Sequence, residues 1–314
     1  MPPVGPLAIE TLGLTKTFGS HDAVHNLALE VPTGSVFGFL GPNGSGKTTT
    51  IRMLLGLAEP TAGTISVLGF SIPKEGEKAL PHVGALVEGP AFYPYLSGID
   101  NLKRLDAADR FSDSATRAQR VSVALERVGL TNAAQKKAGE YSLGMKQRLG
   151  IANALLKPRD LLMLDEPTNG LDPQGTREVR NLIRSLADEG ITIFVSSHLL
   201  AEIEQLCTHL AVMNAGVLVA QGSLEELRSN GDTRLILSVD SVQSARKVLK
   251  DHGIDNVVIE GTSLASVVAP DCDVATLTAA LVGAGVGVRE IRLESATLEE
   301  YFVELTGEGF DVVR

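Results

Sequence analysis

The sequence predicts an α/β protein: a parallel sheet flanked by helices, a helical insertion within it, and a small α+β module behind it. Three observations carry this. Short apolar runs are followed by helical patterns of apolar residues, the alternation that builds parallel sheets. Residues 89–138 are dominated by helical spacing and hold no convincing strand. Beyond Asn230-Gly231 the alternation restarts as β-α-β-β-α-β, the order of a ferredoxin-like split unit.

The elements follow in order. Ser35-Val36-Phe37-Gly38-Phe39-Leu40 is an apolar run ending at Gly41 and reads as a buried strand. Residues 47–57 place Ile51, Leu54 and Leu55 at helical spacing before Glu59-Pro60, so a helix is expected there. Leu161-Leu162-Met163-Leu164 is a second buried strand. Asp172 then caps a helix with Pro173 at its first position, ending at Gly190. Residues 191–195, rich in β-branched side chains, form a third strand. Ser223-Leu224-Glu225-Glu226 is a capping box opening a short helix. In the module that follows, strands are expected at 235–239, 257–259, 266–268 and 286–293, and helices at 241–252, 273–282 and 297–305. The expected domains are residues 1–230, with a helical subdomain at about 89–158, and an accessory domain of residues 231–314.

Hydrophobic residues make up 44% of the 314 and charged ones 21%, enough for a packed core and too apolar for wholesale disorder. The formal net charge is −10, and the segment from residue 231 carries most of the excess. Such a chain is repelled by phosphate backbones, which argues against a nucleic-acid partner. Cys207 and Cys272 lie far apart with no C-x-x-C spacing. That excludes a disulfide framework and a cysteine zinc site, and it fits a reducing compartment. Residues 1–10 hold no Lys or Arg and no long apolar run, so a signal peptide is not expected. The longest weakly polar stretch, residues 274–288, falls short of the roughly 20 residues a membrane span needs. A soluble protein is expected, reaching a membrane only through a partner.

Gly41-Pro42-Asn43-Gly44-Ser45-Gly46-Lys47-Thr48 satisfies G-x-x-x-x-G-K-[ST], with a strand before it and a helix after. The glycines let the loop curl so that successive N–H groups point inward at a polyphosphate, and the helix adds the positive end of its dipole. Lys47 is expected to reach the β- and γ-phosphates, the Thr48 hydroxyl to ligate Mg²⁺, and the Thr49 hydroxyl to meet the α-phosphate. The second strand delivers Asp165 and Glu166 at its carboxyl end, where ligands of parallel sheets sit. Asp165 is the expected Mg²⁺ residue, through water. Glu166 is the expected general base, polarising the water that attacks the γ-phosphate in line. His198, after Val195-Ser196-Ser197, stands where it can bond the γ-phosphate.

With those motifs, Tyr141-Ser142-Leu143-Gly144-Met145-Lys146-Gln147-Arg148 resembles the ABC-transporter signature, and Asn169-Gly170-Leu171-Asp172 resembles its D-loop. From about residue 7 to 227 the chain is similar to ABC nucleotide-binding domains, with the motifs in the family's order and spacing. The resemblance implies a P-loop NTPase cassette: a parallel sheet core with antiparallel β and helical subdomains, here followed by the ferredoxin-like module. It implies ATP and Mg²⁺ as ligands and a second cassette as partner, meeting this one head to tail as a homodimer. In the family each P-loop faces the other chain's signature, so Ser142 and Gly144 are expected on the partner's nucleotide. Phe18 falls where the family stacks an aromatic on adenine, and Asp172 where it links the two sites. An integral membrane permease is implied as a further partner, with this subunit cytoplasmic and peripheral on the inner face of the cell membrane.

Three departures from the family pattern are informative. Glu88 stands where a Gln is usual, keeping an oxygen for Mg²⁺ and catalysis but losing an N–H donor and adding charge beside Glu166. Leu143 and Met145 replace a Gly and a Gln of the commonest signature. The segment beyond residue 231 lies outside the shared cassette. Around Glu88, the signature and Ser196-Ser197-His198-Leu199-Leu200 the chain looks like the branch that includes bacitracin exporters and lantibiotic-immunity transporters. Residues 298–307 resemble the carboxyl end of drug- and peptide-exporting cassettes. Export of a drug or antimicrobial peptide is therefore expected over uptake. Phe92, Tyr93 and Tyr95 beside Pro90 and Pro94 suit a docking surface for the permease's helix. A single cassette without heptads argues against translation or chromosome ATPases, and intact Lys47, Asp165, Glu166 and His198 argue against a non-hydrolysing cassette.

Overall fold

Apolar runs without alternation cannot face water on either side, and in this protein they become the middle of a covered parallel sheet. The computed structural model describes residues 6–87, 91–110, 112–229, 233–261, 263–269, 271–295 and 297–306. The chain divides into two compact units, Met1–Ser223 and Leu224–Arg314. The first begins with β1 (Leu7–Phe18), β2 (His21–Leu27), β3 (Glu30–Pro32), β4 (Val36–Leu40) and α1 (Lys47–Leu54). After these come β5 (Ala62–Val67), β6 (Phe70–Ile72), α2 (Gly76–Ala79) and β7 (Val83–Leu86). The helical part holds α3 (Gly98–Ala108), α4 (Arg117–Arg127) and α5 (Leu143–Ala154). The unit closes with β8 (Leu161–Leu164), α6 (Pro173–Asp188), β9 (Thr192–Ser197), α7 (Leu200–Leu206), β10 (His209–Asn214) and β11 (Val217–Ser223).

The central sheet has the order β11-β10-β4-β9-β8-β7, parallel except for the antiparallel β10–β11 edge pair. Every residue of β4, β8 and β9 is buried. Phe37 and Phe194 stack across adjacent strands with ring centroids 5.8 Å apart. The sheet thus brings the carboxyl ends of β4, β8 and β9 together at one edge, which is where the loops of interest emerge.

Strands β1, β2, β3, β5, β6, β10 and β11 are not read from the sequence pattern, and two further features differ from it. Strand β7 was not expected, because Val83-Gly84-Ala85-Leu86 is short and half of it is small. Its glycine is dictated by packing, since a Cβ at Gly84 would lie 2.7 Å from the Ala154 carbonyl oxygen. Helix α1 stops at Leu54 rather than continuing to 57. The Leu57 and Ala58 N–H groups both turn back to the Arg52 carbonyl, at 2.8 and 3.2 Å.

A second, antiparallel sheet runs β2-β1-β5-β6, with β3 also paired to β1. Thr11, buried in β1, donates its hydroxyl to the Leu27 carbonyl at 2.9 Å and accepts the Leu29 N–H at the same distance. Ile9, Leu14, Val24 and Val67 of this sheet share one core with Phe37, Phe39 and Phe194 of the central sheet and with Ile51 and Leu54 of α1. Helix α1 is therefore clamped on the side away from its loop. In the helical part, Asp106 is buried and ion-paired with Arg117 and Arg120 at 3.0 and 2.7 Å, tying α3 to α4.

The second unit comprises α8 (Leu224–Ser229), β12 (Thr233–Val239), α9 (Val242–Asp251), β13 (Val257–Glu260), β14 (Ser263–Val268), α10 (Val274–Gly283), β15 (Val288–Ser295) and α11 (Leu298–Thr306). Its sheet is antiparallel in the order β13-β14-β12-β15, the ferredoxin-like arrangement. In β12, Leu235, Leu237 and Val239 alternate onto the buried face, where Ala245 and Leu249 of α9 and Leu277 and Leu281 of α10 cover them. Among the described residues no helix is long and apolar enough to cross a membrane.

Candidate active site

The loop of residues 41–46 joins the buried end of β4 to α1, and its backbone is possible only with glycine at two places. Gly46 has φ 100°, and a Cβ there would sit 2.4 Å from the Ala23 carbonyl oxygen. A Cβ at Gly41 would lie 2.4 Å from the Met213 carbonyl oxygen. The first-turn N–H groups of α1 have no partner within the helix, and the first turn itself contains no acidic residue. Lys47 is buried, with Nζ donating to the Gly41 and Pro42 carbonyls at 2.6 and 3.2 Å and lying 3.4 Å from Glu166 Oε1. Burial pulls its ammonium below the ordinary lysine pKa, against the raising attraction of Glu166 and Asp165. A desolvated cation beside a curled loop is a site for a polyphosphate. Pro42 and Thr49 are half-buried, Asn43 and Gly44 exposed, and Ser45 buried.

Parallel pairing of β8 with β9 carries Asp165 and Glu166 alongside residues 196–198. Asp165 Oδ2 accepts the Thr48 hydroxyl at 2.8 Å and Oδ1 accepts the Ser196 hydroxyl at 2.5 Å. The Glu166 N–H donates to Ser196 Oγ at 2.9 Å, and its carboxylate Oε2 lies 2.8 Å from His198 Nδ1. Ser45 Oγ is buried without a hydrogen-bond partner among the described residues, whereas buried Glu166 Oε1 faces the Lys47 ammonium at 3.4 Å. An orphaned hydroxyl oxygen suits a polar ligand in the loop's concavity. The donors are oxygens only, a hydroxyl and a carboxylate, which fits Mg²⁺, an ion that takes one or two protein ligands with phosphates and water. Among the described residues no cluster of three His, Cys, Asp or Glu could hold a metal by itself.

The remaining expected residues lie elsewhere on the first unit. Ser142 is exposed and caps α5 by accepting the Met145 N–H at 3.2 Å; Gly144, the second residue of that helix, is half-buried. Asp172 caps α6 by accepting the Gly175 N–H at 2.9 Å. Phe18 is 55% exposed, so it is not a core residue, and the Lys16 ammonium lies 5.0 Å from its ring centroid. Tyr93 and Tyr95 are exposed too, edge to face at 5.7 Å, with the Arg104 guanidinium 4.5 Å from the Tyr93 ring centroid. Glu88 lies outside the described residues. Sequence reasoning passed over Ser196, whose one signal was its position two residues before His198. It also passed over Glu202, whose carboxylate accepts the Thr168 and Ser197 hydroxyls at 2.6 and 3.2 Å.

Sheet, loop and carboxylates together define a nucleotide-binding ATPase of the P-loop class. The ABC transporter family profile matches residues 24–169. Over 303 residues the chain is 41% identical to the bacitracin transport ATP-binding protein BcrA of Bacillus licheniformis, spanning 96% of this chain and 98% of that one. Over 223 residues it is 39% identical to the lantibiotic transport ATP-binding protein SrtF of Streptococcus pyogenes, spanning 69% and 94%. The structure of cbiO1 from Clostridium perfringens, part of the ABC transporter complex cbiONQ, matches with a TM-score of 0.65 at 26% identity, over 78% of this chain and 95% of that one. The chain belongs to the ABC transporter family as an ATP-binding, ATP-hydrolysing subunit.

Proposed function

We propose that this subunit drives export of a drug or antimicrobial peptide through a separate membrane permease, as one of two identical cassettes that close head to tail on ATP. The observation that carries the chemistry is the convergence of Lys47, Thr48, Asp165, Glu166 and His198 at the ends of three adjacent strands. Similarity over nearly the whole chain to a bacitracin transport subunit supports an antimicrobial peptide as the cargo, and the resemblance of residues 298–307 to drug- and peptide-exporting cassettes supports export.

In this reading the N–H groups of residues 43–48 and the Lys47 ammonium grip the phosphates, and Phe18 stacks on the adenine. Thr48 and Asp165 would hold Mg²⁺, with Glu88 a further oxygen donor; the ion supplies charge neutralisation on the phosphate oxygens when bound. Glu166 takes the proton of the attacking water. His198 orients the Glu166 carboxylate through Oε2, and Oε1, which faces the Lys47 ammonium at 3.4 Å, takes that proton once Lys47 turns to the phosphates. Ser142 and Gly144 of the second copy close over the γ-phosphate, and Asp172 joins the two sites. Residues 91–96 receive the permease, which holds the subunit at the inner face of the cell membrane. Residues 1–230 act as the nucleotide-binding domain and residues 231–314 as an accessory domain.

Purification with its permease, followed by ATPase assays in liposomes, tests the proposal. Bacitracin-class peptides or hydrophobic drugs should stimulate hydrolysis, and Lys47→Ala should remove both nucleotide binding and stimulation. Hydrolysis indifferent to every such compound, and to the permease itself, would overturn export as the function.

A further inference from the structure

We infer that Ser196 is a positioning residue for hydrolysis, acting through Glu166; the inference rests on Glu166 being the general base. Ser196 is completely buried, and its one hydroxyl serves both carboxylate residues. Its hydrogen goes to Asp165 Oδ1 at 2.5 Å, and its oxygen accepts the Glu166 N–H at 2.9 Å. Because a hydroxyl has a single hydrogen, donation to Asp165 leaves the lone pairs as the only role towards the Glu166 amide.

That amide belongs to a strained residue. Glu166 has φ 47°, the left-handed region that a side chain of its size occupies only when the surroundings impose it. Ser196 anchors the Glu166 N–H at 2.9 Å, and the Asn169 N–H holds the Glu166 carbonyl at 3.2 Å. With the N–H anchored, the left-handed turn carries the Glu166 carboxylate out of the strand direction, to 3.4 Å from Lys47 Nζ and 2.8 Å from His198 Nδ1. Asp165 is fixed by the same hydroxyl on one oxygen and by Thr48 on the other. Ser196 therefore sets the separation between the base and the residue expected to hold the ion, touching neither the phosphates nor the water itself.

The test compares Ser196→Ala with Ser196→Thr, which keeps the hydroxyl, and with Thr192→Val. Thr192 lies on the same strand, is also fully buried, and accepts only the Gly34 N–H, far from the carboxylates in the sheet register. Ser196→Ala should lower kcat about 10- to 100-fold, the cost of a misplaced catalytic group, while the ATP Kd stays within about threefold. Ser196→Thr should recover most of kcat. Thr192→Val should lower the melting temperature comparably and leave kcat unchanged. If Ser196→Ala keeps kcat within twofold of wild type, or Thr192→Val loses as much, Ser196 is structural only. If Ser196→Ala does not fold, Ser196→Cys, similar in shape but a poor acceptor, is read by the same criteria. Glu166→Gln measured alongside separates the two ideas. Wild-type turnover there removes the base, whereas lost turnover there with a normal Ser196→Ala removes only the positioning role.

Discussion

Replacing Glu166 by Gln keeps the shape of the side chain and removes one charge, so two effects with opposite consequences can be read from it. Loss of the base should slow turnover by 10²- to 10⁴-fold, or about 3–5 kcal/mol in the barrier. The second effect comes from Lys47, whose Nζ lies 3.4 Å from Glu166 Oε1. At an effective dielectric of 20 that separation corresponds to a gross attraction of about 5 kcal/mol, most of it offset by desolvation. Glu166 thus competes with phosphate oxygens for the lysine. If even a fifth of the gross attraction is released, ATP binding tightens by about 1 kcal/mol, roughly fivefold. The expected variant hydrolyses nothing measurable, binds ATP more tightly than wild type and accumulates as an ATP-bound dimer. Phosphate release, equilibrium binding of a fluorescent ATP analogue and light scattering with size exclusion would read these in turn. Hydrolysis at the wild-type rate would refute the base. Binding weakened tenfold would refute the competition, making Glu166 a support for Lys47 instead.

Gly46→Ala should abolish nucleotide binding in a folded protein, because its Cβ would collide with the Ala23 carbonyl at φ 100°; wild-type affinity by calorimetry would count against the loop geometry. Asp106→Asn should destabilise the helical part by about 3 kcal/mol, since it leaves Arg117 and Arg120 without their buried carboxylate. Burial alone would raise the Asp106 carboxyl, but the hydrogen bonds from Arg120, Ser112 and Arg117 outweigh it and hold the group below its ordinary 3.8. With the folded value below the unfolded one, this stabilisation is complete above about pH 4 and is lost as pH falls below that. The gap in urea midpoint between wild type and Asp106→Asn should therefore narrow from pH 7 to pH 3, and a constant gap would contradict the assignment.

Much of this protein is legible in one dimension because its decisive signals are local. Curling a loop around phosphate needs glycine at Gly41 and Gly46 and a lysine directly after, so eight adjacent residues announce the cradle. The helix cap at Asp172 is equally local, and the structure places it where the spacing predicts. Strand β12 alternates cleanly enough to be read from its own residues. Strand β7 is not, because what makes Val83-Gly84-Ala85-Leu86 a strand is the neighbour it pairs with. The antiparallel sheet around Thr11 was implied by family resemblance and not by pattern, for the same reason.

What the sequence determined by itself is the chemistry: a phosphate loop, two carboxylates at a strand end and a histidine after the next strand, each encoded within a few neighbouring residues. Only the tertiary structure decided how they engage. That Ser196 joins Asp165 to the Glu166 amide, that His198 bonds Glu166, and that Lys47 leans on the same carboxylate depend on β8, β9 and β4 lying side by side. Strand order is set by burial of the whole apolar sheet, a sum over many distant contacts, and no short stretch of chain contains it.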